Sequence, residues 1–188
     1  MLVYDDRAAE ALHLAADRAR HLGADGYETP HVLLGLLRTA DPITRTLMAS
    51  APQLTEDAVL AALGASSRQR DSRGGPGTRT RRSSPEPAVE FRQATRRFAA
   101  KWRPLVRDGH LAARTKLGTD ELWLIVLDDG AASERLLCSL GAQPKQLRSL
   151  LLAAMIPDGT RVPEWPTEVP AGSWRRLLDR LLGSRVRP

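Results

Sequence analysis

The chain repeats itself, and any fold it adopts must contain the same unit twice. Thr29-Pro30-His31-Val32-Leu33-Leu34-Gly35-Leu36-Leu37 stands 90 residues before Thr119-Asp120-Glu121-Leu122-Trp123-Leu124-Ile125-Val126-Leu127. The same offset pairs Arg45 with Arg135, Leu47 with Leu137 and Gln53 with Gln143. Upstream, Ala8, Leu12, Ala15, Ala19 and Leu22 recur at spacings of 4, 3, 4 and 3, the stripe of an amphipathic helix. A shift of 83 carries that stripe onto Phe91, Thr95, Phe98, Trp102 and Leu105. Since the two offsets differ by seven, the later copy should hold a seven-residue insertion between its first and second helices, around 106–118, where a loop absorbs it.

Start and stop signals divide each copy into four helices. In the first, Asp5 or Asp6 caps a helix that reaches Leu22 and ends at Gly23. Thr29 caps a short apolar helix with Pro30 at its first position, where the missing N–H has no partner to lose. Asp41-Pro42 repeats that signal for a third helix through Met48, and Thr55-Glu56-Asp57 opens a fourth. Val59, Leu60 and Leu63 of the fourth face inward, and Gly64 stops it. The second copy predicts helices over 89–105, 119–127, 132–140 and 144–155. No alternating strand pattern appears. The fold class is therefore all-α, a tandem repeat of two four-helix motifs. The second helix of each copy is apolar nearly all round, so neighbours must bury it on several sides, from its own copy or from the other.

The repeats occupy 1–65 and 88–156. Between them 66–87 is rich in Ser, Gly, Pro and Arg, with too little apolar surface to offset its ordering entropy, and reads as a flexible linker. The remainder, 157–188, is a Pro-rich tail that closes on an amphipathic helix. Trp174, Leu177, Leu178, Leu181 and Leu182 share one face of it, opposite Arg175, Arg176, Asp179 and Arg180.

Composition narrows the function classes. The longest uninterrupted apolar run, 122–127, is six residues, against the roughly 20 that a membrane span needs. Met1-Leu2-Val3-Tyr4-Asp5-Asp6-Arg7 lacks the basic start of a secretory signal, so a cytoplasmic protein is expected. The single cysteine, Cys138, sits in an apolar helical pattern and reads as core filler. His13, His21, His31 and His110 form no ligand spacing, so no metal or other cofactor is expected. The net charge of +6 is carried mostly by arginine, the only lysines being Lys101, Lys116 and Lys145. Its excess gathers in Arg68, Arg70, Arg73, Arg79, Arg81 and Arg82 and in Arg175, Arg176, Arg180, Arg185 and Arg187. These runs could contact phosphates or be solvated linker; no helix-turn-helix reader or interleaved aromatic accompanies them.

Tyr4-Asp5-Asp6-Arg7-Ala8, then Leu22-Gly23 and Thr29-Pro30-His31-Val32-Leu33-Leu34-Gly35-Leu36-Leu37, with Leu137-Cys138-Ser139-Leu140-Gly141 in the later copy, resemble the Clp N-terminal (Clp R) domain of ClpC and ClpA type protein-unfolding ATPases. The resemblance covers about residues 2–155, strongly in the first copy and degenerately in the second. It implies a docking domain that in relatives receives adaptors, substrates and arginine-phosphorylated proteins. No Gly-x-x-x-x-Gly-Lys-Ser/Thr occurs in the chain, so no ATPase module accompanies that domain here.

The resemblance nominates ligand-binding residues. Relatives hold phosphoarginine where a Thr-Glu pair begins the second helix of each repeat, the carboxylate engaging the guanidinium and helix-end amides the phosphate. The corresponding pairs are Thr29-Pro30 and Thr119-Asp120, so only the second keeps an acid; the alternative reading of both threonines is plain helix capping. Tyr4 matches the aromatic that contacts cyclic peptide antibiotics between the starts of the two first helices, with Pro87 at the matching place in the second copy; otherwise Tyr4 packs the start of its helix. His31 reads as a hydrogen-bonded structural residue and Glu121 replaces it in the second copy, while Asp128-Asp129 reads as a solvated helix end. Trp174, Leu177, Leu178 and Leu181 form a partner-binding face.

No nucleophile and base are nominated together, so no enzyme is expected. The expected protein is a stand-alone, non-catalytic Clp N-domain-like binder, a monomer or weak homodimer. Its partners would be a ClpC-type unfoldase, that unfoldase's adaptors or substrates, or a cyclic peptide it sequesters as a decoy. The alternative is a small nucleic-acid-binding regulator that uses the arginine-rich linker and tail.

Overall fold

A computed structural model describes residues 3–71, 86–156 and 160–167. The Arg79–Arg82 run and the tail helix with Trp174, Leu177, Leu178 and Leu181 lie outside the described residues. In the first copy α1 spans Asp6–His21, α2 Thr29–Thr39, α3 Pro42–Ser50 and α4 Glu56–Asp71. In the second α5 spans Val89–Arg107, α6 Thr119–Val126, α7 Ala132–Ser139 and α8 Pro144–Met155. The all-α duplication stands. Of the seven extra residues in the second copy, three lengthen α5 relative to α1 and four lengthen the loop before α6.

Local chemistry accounts for most of the boundaries. Asp5 caps α1 by accepting from the Ala8 N–H at 2.8 Å, and Asp41 caps α3 from Thr44 N–H at 2.9 Å. Gly23, at φ 70°, turns the chain after α1. Three expectations need correction. Helix α4 does not stop at Gly64 but runs on to Asp71, because a glycine without left-handed φ weakens a helix without ending it. Cys138 is exposed, since Ser133, Leu136 and Leu137 take the buried stripe of α7. Two short strands also exist, β1 Gly26–Tyr27 and β2 Glu86–Pro87, paired in parallel.

Those strands show how the copies interlock. Pro87 pairs with Tyr27, and Tyr4 forms an isolated bridge with Leu117. The offsets of 83 and 90 turn one pair into the other: Tyr4 becomes Pro87 and Leu117 becomes Tyr27. The hydrogen bonds follow the same symmetry. Asp5 N–H donates to Leu117 O at 2.9 Å, and Ala88 N–H donates to Tyr27 O at 2.9 Å. Each copy thus lends the segment before its first helix to the loop before the second helix of the other, a two-fold exchange of the kind that makes interfaces self-complementary.

Around this exchange α2 and α6 pack against each other in one shared core, which answers whether each copy buries its own apolar helix. Trp123 of α6 is fully buried, and its indole N–H donates across the copies to Thr44 Oγ1 at 2.8 Å. The copies differ in packing distance. On α1 the buried residues are Ala8, Ala11, Ala15 and Ala19, and Gly35 of α2 lies against the backbone of Ala11. On α5 three of the matching residues are Phe91, Phe98 and Trp102, and the place of Gly35 is taken by Ile125. Large side chains fill the wider crossing. Beyond α8 the chain returns to this aromatic layer, where Trp165 is buried with its ring stacked on Phe98 at a centroid distance of 6.1 Å.

Candidate functional site

The residues nominated from the sequence fall into two clusters related by the same repeat symmetry, one at the start of α2 and one at the start of α6. Neither threonine is a cap. The N-caps are Glu28 and Gly118, while Thr29 and Thr119 are the first helical residues and both are buried. The N-cap N–H is satisfied from three residues further on. Glu28 N–H donates to His31 Nδ1 at 3.1 Å, and Gly118 N–H donates to a Glu121 carboxylate oxygen at 2.7 Å. A His31 Nδ1 that accepts carries its proton on Nε2. His31 and Glu121 therefore do equivalent work in the two copies.

At α2 the rest of the site is filled from within. Glu90, from the first turn of α5, accepts from Thr29 N–H at 2.8 Å, from Thr29 Oγ1 at 2.8 Å and from Ala132 N–H at 2.9 Å. Thr29 Oγ1 in turn accepts from Ser133 N–H at 3.1 Å. One carboxylate thus neutralises the starts of α2 and α7 together, where helix dipoles favour negative charge. An incoming phosphate would meet this charge already in place. Replacing Glu90 with alanine is expected to cost about 2 kcal/mol in urea unfolding, since it strands amide donors at two helix starts; a loss under about 0.5 kcal/mol would show that the bonds are idle.

At α6 the arrangement is different in kind. The repeat symmetry puts Arg7 where Glu90 stands, and Arg7 is exposed. Acids gather instead around Gly118, where a Cβ would lie 3.1 Å from an Asp5 carboxylate oxygen, 3.3 Å from one of Glu121 and 3.5 Å from one of Asp120. One guanidinium answers them. Arg114 Nη1 donates to Asp120 Oδ2 at 2.9 Å and lies 3.3 Å from Glu121 Oε1. Glu121 is fully buried, and its Oε1 accepts no hydrogen bond among the described residues. Burial pushes the Glu121 carboxyl up, against the Gly118 N–H and Arg114, which pull it down.

Tyr4 joins this second cluster through its bridge to Leu117, next to Gly118. Its ring is half-buried against the core, and burial raises its hydroxyl pKa. Tyr27, pinned by Pro87, packs on Phe91 at 5.3 Å; burial, with Tyr4 close by, pushes its hydroxyl up to about 12. The structure thus brings Tyr4, Thr119, Asp120 and Glu121 together and leaves Thr29 and His31 at the other crossing.

Sequence reasoning missed three groups. Glu90 could have been noticed as the acid that replaces Arg7 under the 83-residue shift, and Arg114 as one of two arginines, with Arg107, in the stretch that holds the insertion. Asp128 gave no local signal. It is not solvated but fully buried, accepting from Lys101 Nζ, from Arg97 Nε at 3.2 Å and from the Trp165 indole N–H at 3.1 Å. Its neighbour Asp129 pairs with Arg148 at 3.2 Å. Among the described residues no group of acids, histidines and cysteine could hold a metal ion, and no helix is long and apolar enough to cross a membrane.

Comparison with known proteins agrees with the geometry. The Clp repeat (R) N-terminal domain family matches residues 3–99, just over half of the chain. Among solved structures, the N-terminal domain of the caseinolytic protease associated chaperone ClpD from Arabidopsis thaliana superposes with a TM-score of 0.54 at 18% identity, over 80% of this chain and 93% of that one. A comparison with curated proteins returns no match. Two interlocked four-helix copies, with a family match that runs through the first copy and into the second, show that this chain belongs to the Clp repeat (R) N-terminal domain family, whose domain is a protein-interaction module.

Proposed function

We propose that this chain is a non-catalytic docking protein that engages ligands of a ClpC-type unfoldase, substrate or adaptor proteins, by gripping an arginine side chain at the start of α6. One observation carries the reading: Asp120 and Glu121 converge there on a guanidinium, that of Arg114, with Asp5 beside Gly118 adding negative charge, whereas the equivalent place at α2 is closed by Glu90. A planar guanidinium offers paired donors to a carboxylate pair, which a lysine ammonium does not match. The ligand arginine is bare or phosphorylated, the two forms sharing the guanidinium. Occupancy without unfolding would modulate proteolysis by holding ligands away from the unfoldase. In this reading the repeats 1–65 and 88–156 form the receptor, 66–87 joins them, and the face of Trp174, Leu177, Leu178 and Leu181 in the 157–188 tail contacts a partner.

A cyclic peptide ligand is the second reading, making the protein a decoy for an antibiotic. It is favoured by Val3 and Val89, exposed apolar residues beside Tyr4 and Pro87 at the two crossings.

Calorimetric titration separates these readings. An unfolded client protein, the same client phosphorylated on arginine, and a ClpC-binding cyclic peptide would each be titrated into the protein and into Asp120→Asn. We expect both client forms to bind, and Asp120→Asn to weaken them about tenfold, the loss of one charge-assisted contact. Client binding that ignores Asp120 overturns the arginine reading, and heat from the cyclic peptide alone moves the function to the decoy.

A further inference from the structure

We propose that Arg114 is a built-in occupant of the α6 site, and that the loop carrying it is a latch which a ligand arginine must displace. This rests on the reading of that site given above. The loop is four residues longer than its counterpart in the first copy, and under the 90-residue offset the place of Arg114 is taken there by Ala24. Leu111 and Leu117 anchor it in the core at 6% and 8% exposure, and residues 112–116 between them are all exposed. Among the described residues, no backbone hydrogen bond holds 112–116. Gly109, at φ 77°, turns the chain into the loop. What ties the tip down is the guanidinium of Arg114 on Asp120 and Glu121.

The latch is incomplete in a way that favours exchange. Glu121 is fully buried, yet among the described residues its Oε1 accepts no hydrogen bond, so the resident guanidinium leaves one buried acceptor unsatisfied. A second arginine, free of the loop's geometry, can bridge Asp120 and Glu121 with parallel bonds. Arg114 itself is 40% exposed on its side chain, and an ion pair this open holds the loop by no more than a factor of about ten, which a ligand can overcome. Its advantage is proximity, since a group on a short tether competes at an effective concentration near millimolar. With the latch closed in about nine molecules of ten, an outside ligand sees its affinity cut about tenfold.

Two measurements test this, one without any ligand. Endoproteinase Lys-C can cut the chain only at Lys101, Lys116 and Lys145, and Lys116 is in the loop whereas Lys101 is buried. Arg114→Ala should speed cleavage at Lys116 about tenfold and leave the urea midpoint unchanged. The ligand measurement titrates acetyl-Gly-Arg-Gly-amide, with the citrulline peptide as an uncharged control, into the full chain, Arg114→Ala and Lys116→Ala. Arg114→Ala should bind the arginine peptide about tenfold more tightly, and Lys116→Ala, which removes the same charge from the same loop, should not. Equal affinity and equal cleavage in Arg114→Ala and the parent overturn the latch and leave the site standing. A gain matched by Lys116→Ala reduces the effect to bulk charge and overturns it too. Binding of the arginine peptide by none of the three proteins overturns the site and the latch together.

Discussion

Gly35→Ala should be among the most damaging single-methyl changes this chain can suffer. A Cβ at position 35 would stand 2.0 Å from the Ala11 carbonyl oxygen and 2.9 Å from its carbon. Both are backbone atoms of α1, so no side chain can swing aside to make room. Relief requires α1 to move off α2, and the movement would loosen Ala8, Ala15 and Ala19, which are buried against the same crossing. Overpacking of well-filled cores costs about 1–3 kcal/mol where side chains can adjust; a backbone-to-backbone crossing with no such freedom is expected to cost about 4 kcal/mol. Against this, alanine gains about 1 kcal/mol over glycine in a helix interior. Gly64→Ala is the control with opposite sign. A Cβ at Gly64, inside α4, meets no described atom within 4 Å, so propensity alone should raise stability by up to about 1 kcal/mol. Urea unfolding of the two variants reads both. A Gly35→Ala protein within about 1 kcal/mol of the parent would mean that α1 is not seated on α2 as described.

The same residue shows what the sequence could and could not reveal. Gly35 lies in a run that is apolar on all sides, and the burial of the whole run follows from that. Which neighbour comes close does not, because Ala11 is brought there by tertiary packing. The repeat, the eight helices and the bounds of α8 were legible because they rest on local spacing and on cap and proline signals within a few residues. Thr29 and Thr119 misled as caps for a local reason: His31 and Glu121 reach back to the N-cap N–H, so Glu28 and even Gly118, with no side chain, can serve there. The site was half legible. Asp120 and Glu121 announce themselves as acids at a helix start, but Glu90 lies 61 residues from Thr29 and 42 from Ala132, and nothing along the chain joins them. Asp128-Asp129 reads like any solvated helix end, since its partners Lys101 and Trp165 are 27 and 37 residues away. Charges that are buried by distant partners leave no periodic trace.

Asp128→Ala is expected to cost about 3–5 kcal/mol, because it leaves the Lys101 ammonium, 1% exposed, in the core without its counter-charge. It also removes the acceptor of the Trp165 indole and one partner of Arg97. Stability and positioning can be separated at this site. A buried ion pair replaced on both sides by apolar groups is often neutral, so Lys101→Met with Asp128→Leu should recover most of the lost stability. It should not recover the seat of Trp165, whose N–H would then face an apolar wall. The indole resonances of the chain's four tryptophans report this directly in a proton–nitrogen spectrum. In the double variant the Trp165 resonance should move or broaden while the signal of Trp123, bonded to Thr44, stays where it is. That pattern would assign the buried pair the task of fixing where the segment after α8 lies against α5, with net stability supplied by the aromatic layer of Phe98 and Trp102. An Asp128→Ala protein within about 1 kcal/mol of the parent, with its Trp165 signal unmoved, would show that Asp128 neither neutralises Lys101 nor holds the segment.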